Sequence, residues 1–249
     1  LGNEGWSYVE VLPYFRRAET YEPGANDLHG DNGPIRVSRP LVKHALARAF
    51  VQAGVQAGYP YNDDTNGASR EGFGPVDVTV SRGRRSSTSS ACLRPVMNRP
   101  NLSVITGAHV TRILFEGQRA VGISYRKRGK EHMVRAEREV ILSAGAINSP
   151  QILMLSGVGP ADHLRANGIE PLLDLPGVGG NLQDHLAITV KHRCLQPISM
   201  FKYFSPLKGA AALGQYLLLR KGPLADPGME AAGFVKSASC EPEPDIKLL

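Results

Sequence analysis

Cysteine is scarce in this 249-residue sequence, and the three that are present lie far apart, at Cys92, Cys194 and Cys240. Because their number is odd and no CxxC motif occurs, the sequence predicts neither a disulfide framework nor a zinc site. The seven histidines are scattered without an HExxH motif, so no metal site is predicted. A reducing, cytoplasmic compartment is therefore expected.

Long apolar runs are also absent. No stretch approaches the roughly 18 apolar residues that a membrane span requires, and the longest candidate, Ala210–Leu219, is interrupted by Gly214 and Gln215. The sequence begins at Leu1 with neither an initiator Met nor the basic and apolar regions of a signal peptide. We therefore expect an internal fragment, with Leu1 and Leu249 as cut boundaries rather than natural ends.

Negative charge is in deficit, with 23 Asp and Glu against 29 Lys and Arg, which gives a formal net charge of +6. A basic balance can indicate an acidic partner such as nucleic acid. The basic residues are nevertheless spread out, and the densest clusters, Arg82–Arg85 and Arg126–Arg128, are typical of hairpin or loop tips. Since no nucleic-acid-binding module accompanies them, we predict no nucleic-acid partner.

Hydrophobic periodicity predicts a mixture of helices and strands, which indicates an α+β fold. Apolar residues at helical spacing predict helices over Glu10–Glu19 (with Ser7 as its cap), Leu41–Ala57, Ser86–Met97, Ala161–Asn167 and Pro206–Arg220. Alternating or β-rich runs predict strands over Val76–Val80, Leu102–Thr106, Val110–Glu116, Ala120–Arg126, Met133–Arg135, Leu186–His192 and Gly233–Lys236. The successive pieces between Leu102 and Arg135 predict an antiparallel β-meander.

The stretch that carries most chemical interest is a predicted buried strand, Glu139–Ser143, which runs into the small residues Ala144-Gly145-Ala146. A helix follows, with Asn148 or Ser149 as its cap and Pro150 in its first turn. Small residues let a ligand approach the backbone, and free N–H groups at a helix start suit an anion or a polar cofactor edge. Tight packing of strand against helix also requires small residues, so spacing alone leaves both interpretations open.

A longer run carries a resemblance to a known family. The sequence GAINSPQILMLSGVG, from Gly145 to Gly159, is similar position by position to the second signature of the glucose–methanol–choline oxidoreductases. PGVGGNLQDH, which starts at Pro176, resembles the next landmark of that family. GNEGWSY, which starts at Gly2, resembles the stretch that follows the family's first signature. The resemblance therefore covers nearly the whole chain.

The resemblance implies FAD as the cofactor and a small-molecule alcohol as the substrate, oxidised by hydride transfer to the flavin N5. It implies that Val110 lies against the adenine of FAD, and that Ser143, Ala144 and Gly145 lie along the adenosine half. Glu230 matches the carboxylate that choline-oxidising relatives place beside the trimethylammonium group of the substrate. The alternative for Glu230 is a solvated or arginine-paired residue at the start of a strand.

Two elements of the family pattern are missing from the sequence. The sequence has no GxGxxG motif for the FAD pyrophosphate, because Gly177-Val178-Gly179-Gly180 lacks the spacing. Nothing matches the family's catalytic His with its His or Asn partner, so no catalytic residue is assigned. We therefore expect the isolated chain to bind FAD weakly or not at all and to show no turnover. Asn181, Asp184 and His185 either line the flavin region or pin their glycine-rich loop, and the second role is favoured.

The implied architecture interleaves two domains along the chain. Residues 98–160 are assigned to an FAD-binding domain, built from the β-meander and a central strand–helix unit. Residues 1–97 and 161–249 are assigned to a substrate domain with an antiparallel sheet and helices. Choline remains one alternative among primary alcohols, because Asp226-Pro227-Gly228-Met229 departs from close choline dehydrogenases and shows no aromatic cage.

The rival to an enzyme is a non-catalytic remnant or interaction module of the same fold. The electron acceptor is not predicted. A homodimer and a peripheral membrane association of the full enzyme are both left open.

Overall fold

The structure is a computed structural model that describes residues 3–196, 198–225 and 228–249. The chain divides into two compact units, one from the ranges 1–102 and 192–249 and the other from Ser103–Lys191. Helices occur together with antiparallel sheets, so the predicted α+β class is confirmed. The division of cofactor and substrate binding among residues 1–97, 98–160 and 161–249 stays a prediction.

Within the described residues, the helices are α1 (Tyr8–Ala18), α2 (Ala45–Gln56), α3 (Gly145–Leu155), α4 (Ala161–Ala166) and α5 (Pro206–Leu219). The strands are β1 (Glu19–Tyr21), β2 (Ile35–Val37), β3 (Gly72–Pro75), β4 (Val80–Ser81), β5 (Arg84–Arg85), β6 (His109–Glu116), β7 (Arg119–Lys127), β8 (Lys130–Arg135), β9 (Val158–Gly159), β10 (Leu173–Asp174), β11 (Ala231–Val235) and β12 (Ile246–Leu248). In this part of the chain, no helix is both long and apolar enough to cross a membrane.

Helix α1 begins at a capping box. Ser7 donates both its backbone N–H and its hydroxyl to the Glu10 carboxylate, at 3.0 and 2.6 Å. These bonds hold the pKa of Glu10 below its ordinary value of 4.5, because they favour the charged carboxylate. The predicted cap at Ser7 is confirmed, and the helix starts slightly before the predicted Glu10.

The first unit closes around the ring of Phe73. Strands β12, β11 and β3 form an antiparallel sheet, and α2 packs on it through Val51. Gly54 in α2 and Gly233 in β11 both face Phe73, and a methyl group at either position would overlap its ring. The two glycines therefore leave the space that the aromatic ring fills, and this close packing fixes α2 on the sheet.

Buried charges in the first unit are paired. The Arg39 guanidinium lies 3.0 Å from Asp77 and 3.5 Å from Asp64. His29, which is 4% exposed, places Nδ1 3.0 Å from Glu19 and Nε2 3.2 Å from Asp64. An unpaired charge is costly in the interior. These contacts therefore explain the residues by a role in the fold.

The second unit contains the predicted antiparallel meander, formed by β6, β7 and β8. Helix α3 packs against β6. Ser156 Oγ accepts the Ile113 N–H at 2.8 Å and donates to the Ile152 carbonyl at 2.6 Å. One hydroxyl therefore joins the end of α3 to the middle of the strand.

The strand predicted over Glu139–Ser143 is wrong, and so is the strand predicted over Leu186–His192. None of the described strands pairs with either segment, and Ile141 is 78% exposed. An apolar sequence becomes a strand only where neighbouring backbone completes its hydrogen bonds. No described backbone completes the hydrogen bonds of these two segments, so their apolar composition alone does not produce a strand.

The predicted cap of α3 at Asn148 or Ser149 is also wrong, because the helix already begins at Gly145. Ser149 still acts at this end: its Oγ accepts the Ala144 N–H at 3.0 Å. Pro150 accordingly lies inside the helix rather than in a first turn. The predicted small-residue stretch is therefore the first turn of α3 itself.

Three smaller predictions fail, one of them completely and two in part. Of Val76–Val80, only Val80 lies in a strand; Leu102–Thr106 forms none; and Ser86–Met97 contains only a π-helical turn at Ser89–Leu93 and a 3₁₀ turn at Arg94–Val96. Strand β3 is not predicted, because its sequence Gly-Phe-Gly-Pro is poor in strand-forming residues. The basic clusters Arg82–Arg85 and Arg126–Arg128 do lie at the tips of the β4–β5 and β7–β8 hairpins.

Candidate functional site

Glu230 lies directly before β11, at the start of helix α2 in space. Its Oε2 accepts the backbone N–H of Lys43 at 2.6 Å and of His44 at 2.7 Å. Its own carbonyl accepts the N–H of Val76 at 3.2 Å. These two N–H groups belong to His44, the N-cap of α2, and to the residue before it, so they have no acceptor within the helix. The carboxylate supplies one and also complements the positive end of the helix dipole.

His44 is the N-cap of α2 and shares this task. Its Nδ1 accepts the Leu46 N–H at 3.3 Å, and its Nε2 lies 2.9 Å from the Ile198 carbonyl oxygen. Since Nδ1 accepts and a carbonyl cannot donate, the proton is on Nε2. The imidazole therefore donates to Ile198, which lies two residues before the 3₁₀ turn Met200–Phe204, and this bond ties that segment to α2.

A cavity of about 700 Å³ opens beside the Glu230 carboxylate. Its wall includes Lys43, His44, Phe50, Tyr203, Met229 and Glu230. The sequence does not predict Phe50 and Tyr203 as site residues. The only signal at Phe50 is the helical spacing that also describes a core residue, and Tyr203 lies before the predicted helix Pro206–Arg220. An acid with aromatic and thioether neighbours is a suitable environment for an alkylammonium group.

The first turn of α3 is open. Gly145 has φ +91°, a left-handed conformation, and no atom lies within 4 Å of the point that a side chain would occupy. Ser143 is exposed and Ala144 half-buried. The sequence leaves two interpretations of this small residue open, tight packing and ligand approach. Within the described residues, no atom of the chain packs against Gly145. The turn has space for a ligand edge against the backbone.

Val110 lies on β6, opposite Tyr125 of β7, where the strand pairing shifts by one residue at Thr111. The structure thus places Val110 on the strand against which α3 packs. Gly145 begins α3, Ala144 is its N-cap and Ser143 precedes the cap. All four belong to the second unit, whereas Glu230 belongs to the first.

The glycine-rich loop does not show the anchoring predicted for it. Asp184 and His185 are fully exposed, and among the described residues Asp184 accepts a hydrogen bond only from the N–H of the next residue, His185, at 2.8 Å. Asn181 adopts a left-handed backbone, with φ +53°. A bond between sequence neighbours cannot hold a loop to the rest of the unit, so these side chains do not act as anchors.

Metal chemistry has no support in the described ranges, which contain no group of three or more His, Cys, Asp or Glu side chains arranged to hold an ion. The described cysteines Cys92, Cys194 and Cys240 are all free and exposed. We assign no proton acceptor from this chain.

Comparison with known proteins adds the following relatives. Residues 1–187 match the GMC oxidoreductase family. The chain is 50% identical over 246 residues to mitochondrial choline dehydrogenase of Mus musculus, covering 99% of this chain and 41% of that protein. It is 48% identical over 238 residues to oxygen-dependent choline dehydrogenase of Staphylococcus xylosus, covering 95% and 42%. The chain thus spans about two fifths of the length of these relatives.

A solved structure with a similar fold is an FAD-dependent oxidoreductase from Chaetomium thermophilum. The TM-score is 0.81 at 27% identity, over 94% of this chain and 44% of the other.

Proposed function

The chain belongs to the GMC oxidoreductase family, and from that premise we propose that it forms part of an FAD-dependent enzyme that oxidises a primary alcohol, with choline as the substrate and betaine aldehyde as the product. The observation that carries the proposal is the 50% identity to a choline dehydrogenase over 99% of this chain. FAD, when bound, supplies the flavin N5 that takes up the hydride.

The first turn of α3 fits a nucleotide edge. Gly145 leaves open space above a left-handed backbone, and helix geometry directs the first N–H groups outward. Ser143, Ala144 and Gly145 are proposed to lie along the adenosine half, and Val110 is proposed to contact the adenine. The Ser156 bonds hold α3 against β6, and this would keep the two contact regions in a fixed relation.

Glu230 is proposed to bind the trimethylammonium group while it holds the start of α2. A quaternary ammonium needs a negative charge but donates no N–H hydrogen bond, so it competes with neither Lys43 nor His44 for Oε2. Phe50 and Tyr203 line the same cavity, and their rings would add cation–π attraction.

A chimera tests this proposal directly. The segment of mouse choline dehydrogenase that matches this chain is replaced by the chain, and the chimera is assayed for choline oxidation with an artificial electron acceptor. We expect the chimera to carry FAD, as read from its flavin absorbance, and to oxidise choline. The isolated chain is expected to bind FAD weakly and to turn over no alcohol.

The failures are distinguishable. A folded chimera without flavin absorbance would contradict the cofactor role of α3. A folded chimera that carries FAD but oxidises no alcohol would favour the non-catalytic remnant. If the chimera oxidised other primary alcohols but not choline, the proposed alcohol oxidation would be supported and choline would be excluded as the substrate. No electron acceptor is proposed, a homodimer and a membrane association of the full enzyme stay open, and the cytoplasmic compartment stays a prediction.

A further inference from the structure

A second cavity of the first unit is basic. It has a volume of about 740 Å³ and lies between β2, the β4–β5 hairpin and the end of α5. Its charged wall residues are Arg36, Lys43, Arg82, Arg220 and Lys221, against a single acid, Glu22. The resemblance to the oxidoreductase family assigns no role to these side chains, and neither the FAD contacts nor Glu230 uses the Arg82 and Arg220 end of the cavity.

None of these cations forms an ion pair within the part of the chain that the structure describes, although the Arg220 guanidinium lies over the Tyr216 ring, 4.9 Å from its centroid. No described carboxylate lies within 4.0 Å of any of the five, whereas Arg39 in the same unit has Asp77 at 3.0 Å and Asp64 at 3.5 Å. The unit can therefore pair arginine closely where pairing serves the fold. Like charges that converge on one cavity repel one another, and an anion between them relieves that repulsion.

The cavity wall is held in place by close packing. Arg82 and Arg220 both adopt left-handed backbones, with φ +51° and +54°, which non-glycine residues adopt only where their surroundings hold them. Gly83, next to Arg82, packs so closely on the Arg220 carbonyl that a methyl group there would overlap it. The hairpin tip and the end of α5 are therefore in direct contact, and Arg82 and Arg220 both line the wall next to this contact.

The neighbouring hydroxyl groups favour arginine as the donor. Ser38 Oγ donates to the Val80 carbonyl at 2.8 Å, and Thr20 Oγ1 donates to the Gly33 carbonyl at 2.5 Å, so neither has a proton left for a ligand. Among the hydroxyl groups of the wall, Ser81 alone has no described acceptor. Guanidinium groups offer paired N–H donors that match the oxygens of a phosphate. We propose that this cavity binds the phosphate group of a small molecule, held by Arg82, Arg220 and Lys221.

The competing explanation is that Arg220 and Lys221 only complement the negative end of the α5 dipole and are otherwise solvated. That role requires no bound anion. The two explanations separate in a titration of the chain with inorganic phosphate at constant ionic strength, with chloride as the balancing anion, followed by calorimetry. The proposal requires saturable binding of phosphate at one site, and neither flavin nor turnover enters the readout, so its outcome is independent of the proposed enzyme activity.

The variants Arg82→Asn and Arg220→Asn remove one charge each and keep a side chain that tolerates a left-handed backbone. Each is expected to weaken phosphate binding about tenfold, through loss of a charge-assisted bond. Arg128→Asn is the matched control, since Arg128 has φ +50° at the β7–β8 turn of the other unit. It should leave phosphate binding unchanged.

Two further arms identify the source of the phosphate. Glycerol 3-phosphate in solution is compared with vesicles of phosphatidic acid, and vesicles of phosphatidylcholine serve as the neutral control. Binding of glycerol 3-phosphate supports a soluble phosphomonoester as the ligand. Binding of the phosphatidic acid vesicles alone supports a lipid headgroup. Absence of saturable phosphate binding, or an equal loss in all three variants, overturns the proposal.

Discussion

Glycines in the two units face opposite surroundings. In the first unit, Gly54 and Gly233 lie against the Phe73 ring, and the chain fills the space that the missing side chains leave. In the second unit, Gly145 faces no atom within 4 Å. A glycine is required in both places, but for different reasons: close packing in the first, and a left-handed turn under open space in the second.

Glu230 combines the two environments, because it contacts the chain's own backbone and also faces open space. Its Oε2 is engaged by the backbone of α2, as a packing residue would be. The same side chain also faces a cavity of about 700 Å³. The comparison therefore predicts three sizes of effect: large where the chain fills its own space, intermediate at Glu230, and small where the space is open.

The largest effect on stability is expected from Gly233→Ala. The added methyl group overlaps the Phe73 ring, and overpacking of this kind lowers the free energy of unfolding by about 1–3 kcal/mol. Chemical denaturation of the chain measures it. The double variant Gly233→Ala with Phe73→Leu is the control, because the smaller side chain makes room for the methyl group. If Gly233→Ala were as stable as the parent chain, the closed core of the first unit would be contradicted.

An intermediate effect is expected at Glu230. Glu230→Ala leaves the Lys43 and His44 N–H groups without their acceptor and lowers the free energy of unfolding by about 1–2 kcal/mol. Glu230→Gln keeps an amide oxygen in that place and should retain most of this stability. In the chimera with mouse choline dehydrogenase, both variants should raise the KM for choline, since both remove the charge. Should Glu230→Gln leave that KM unchanged, Glu230 would act only on α2.

The sequence predicts elements well where the hydrogen-bond partners are close in the chain. The meander from β6 to β8 and helix α1 with its Ser7 cap need only local pairing, and both are present as predicted. Glu139–Ser143 and Leu186–His192 have equally apolar sequences but no described partner strand. Composition indicates that a segment can form a strand, whereas pairing into a sheet depends on a partner strand from another part of the chain.

The candidate site divides along the same line. The run of small residues at Ser143, Ala144 and Gly145 is a local signal, but spacing leaves ligand approach and tight packing both open, and only the family resemblance predicts these residues as an FAD contact. The bonds from Lys43 and His44 to Glu230 join residues more than 180 positions apart, and no periodicity in either segment indicates them. Phe50 and Tyr203 enter the cavity wall in the same way, through contacts between distant segments.

The smallest effect on stability is expected from Gly145→Ala. No atom obstructs the methyl group, so only the left-handed backbone opposes it, at about 1 kcal/mol. Gly168→Ala is the matched control, because Gly168 has φ +70°, equally open space and a place in the same unit. The two variants should unfold at similar denaturant concentrations. In the chimera, however, only Gly145→Ala should reduce the FAD content, because only there would the methyl group occupy the space proposed for the adenosine. Equal FAD content in the two variants would mean that the open turn of α3 is not where the nucleotide lies.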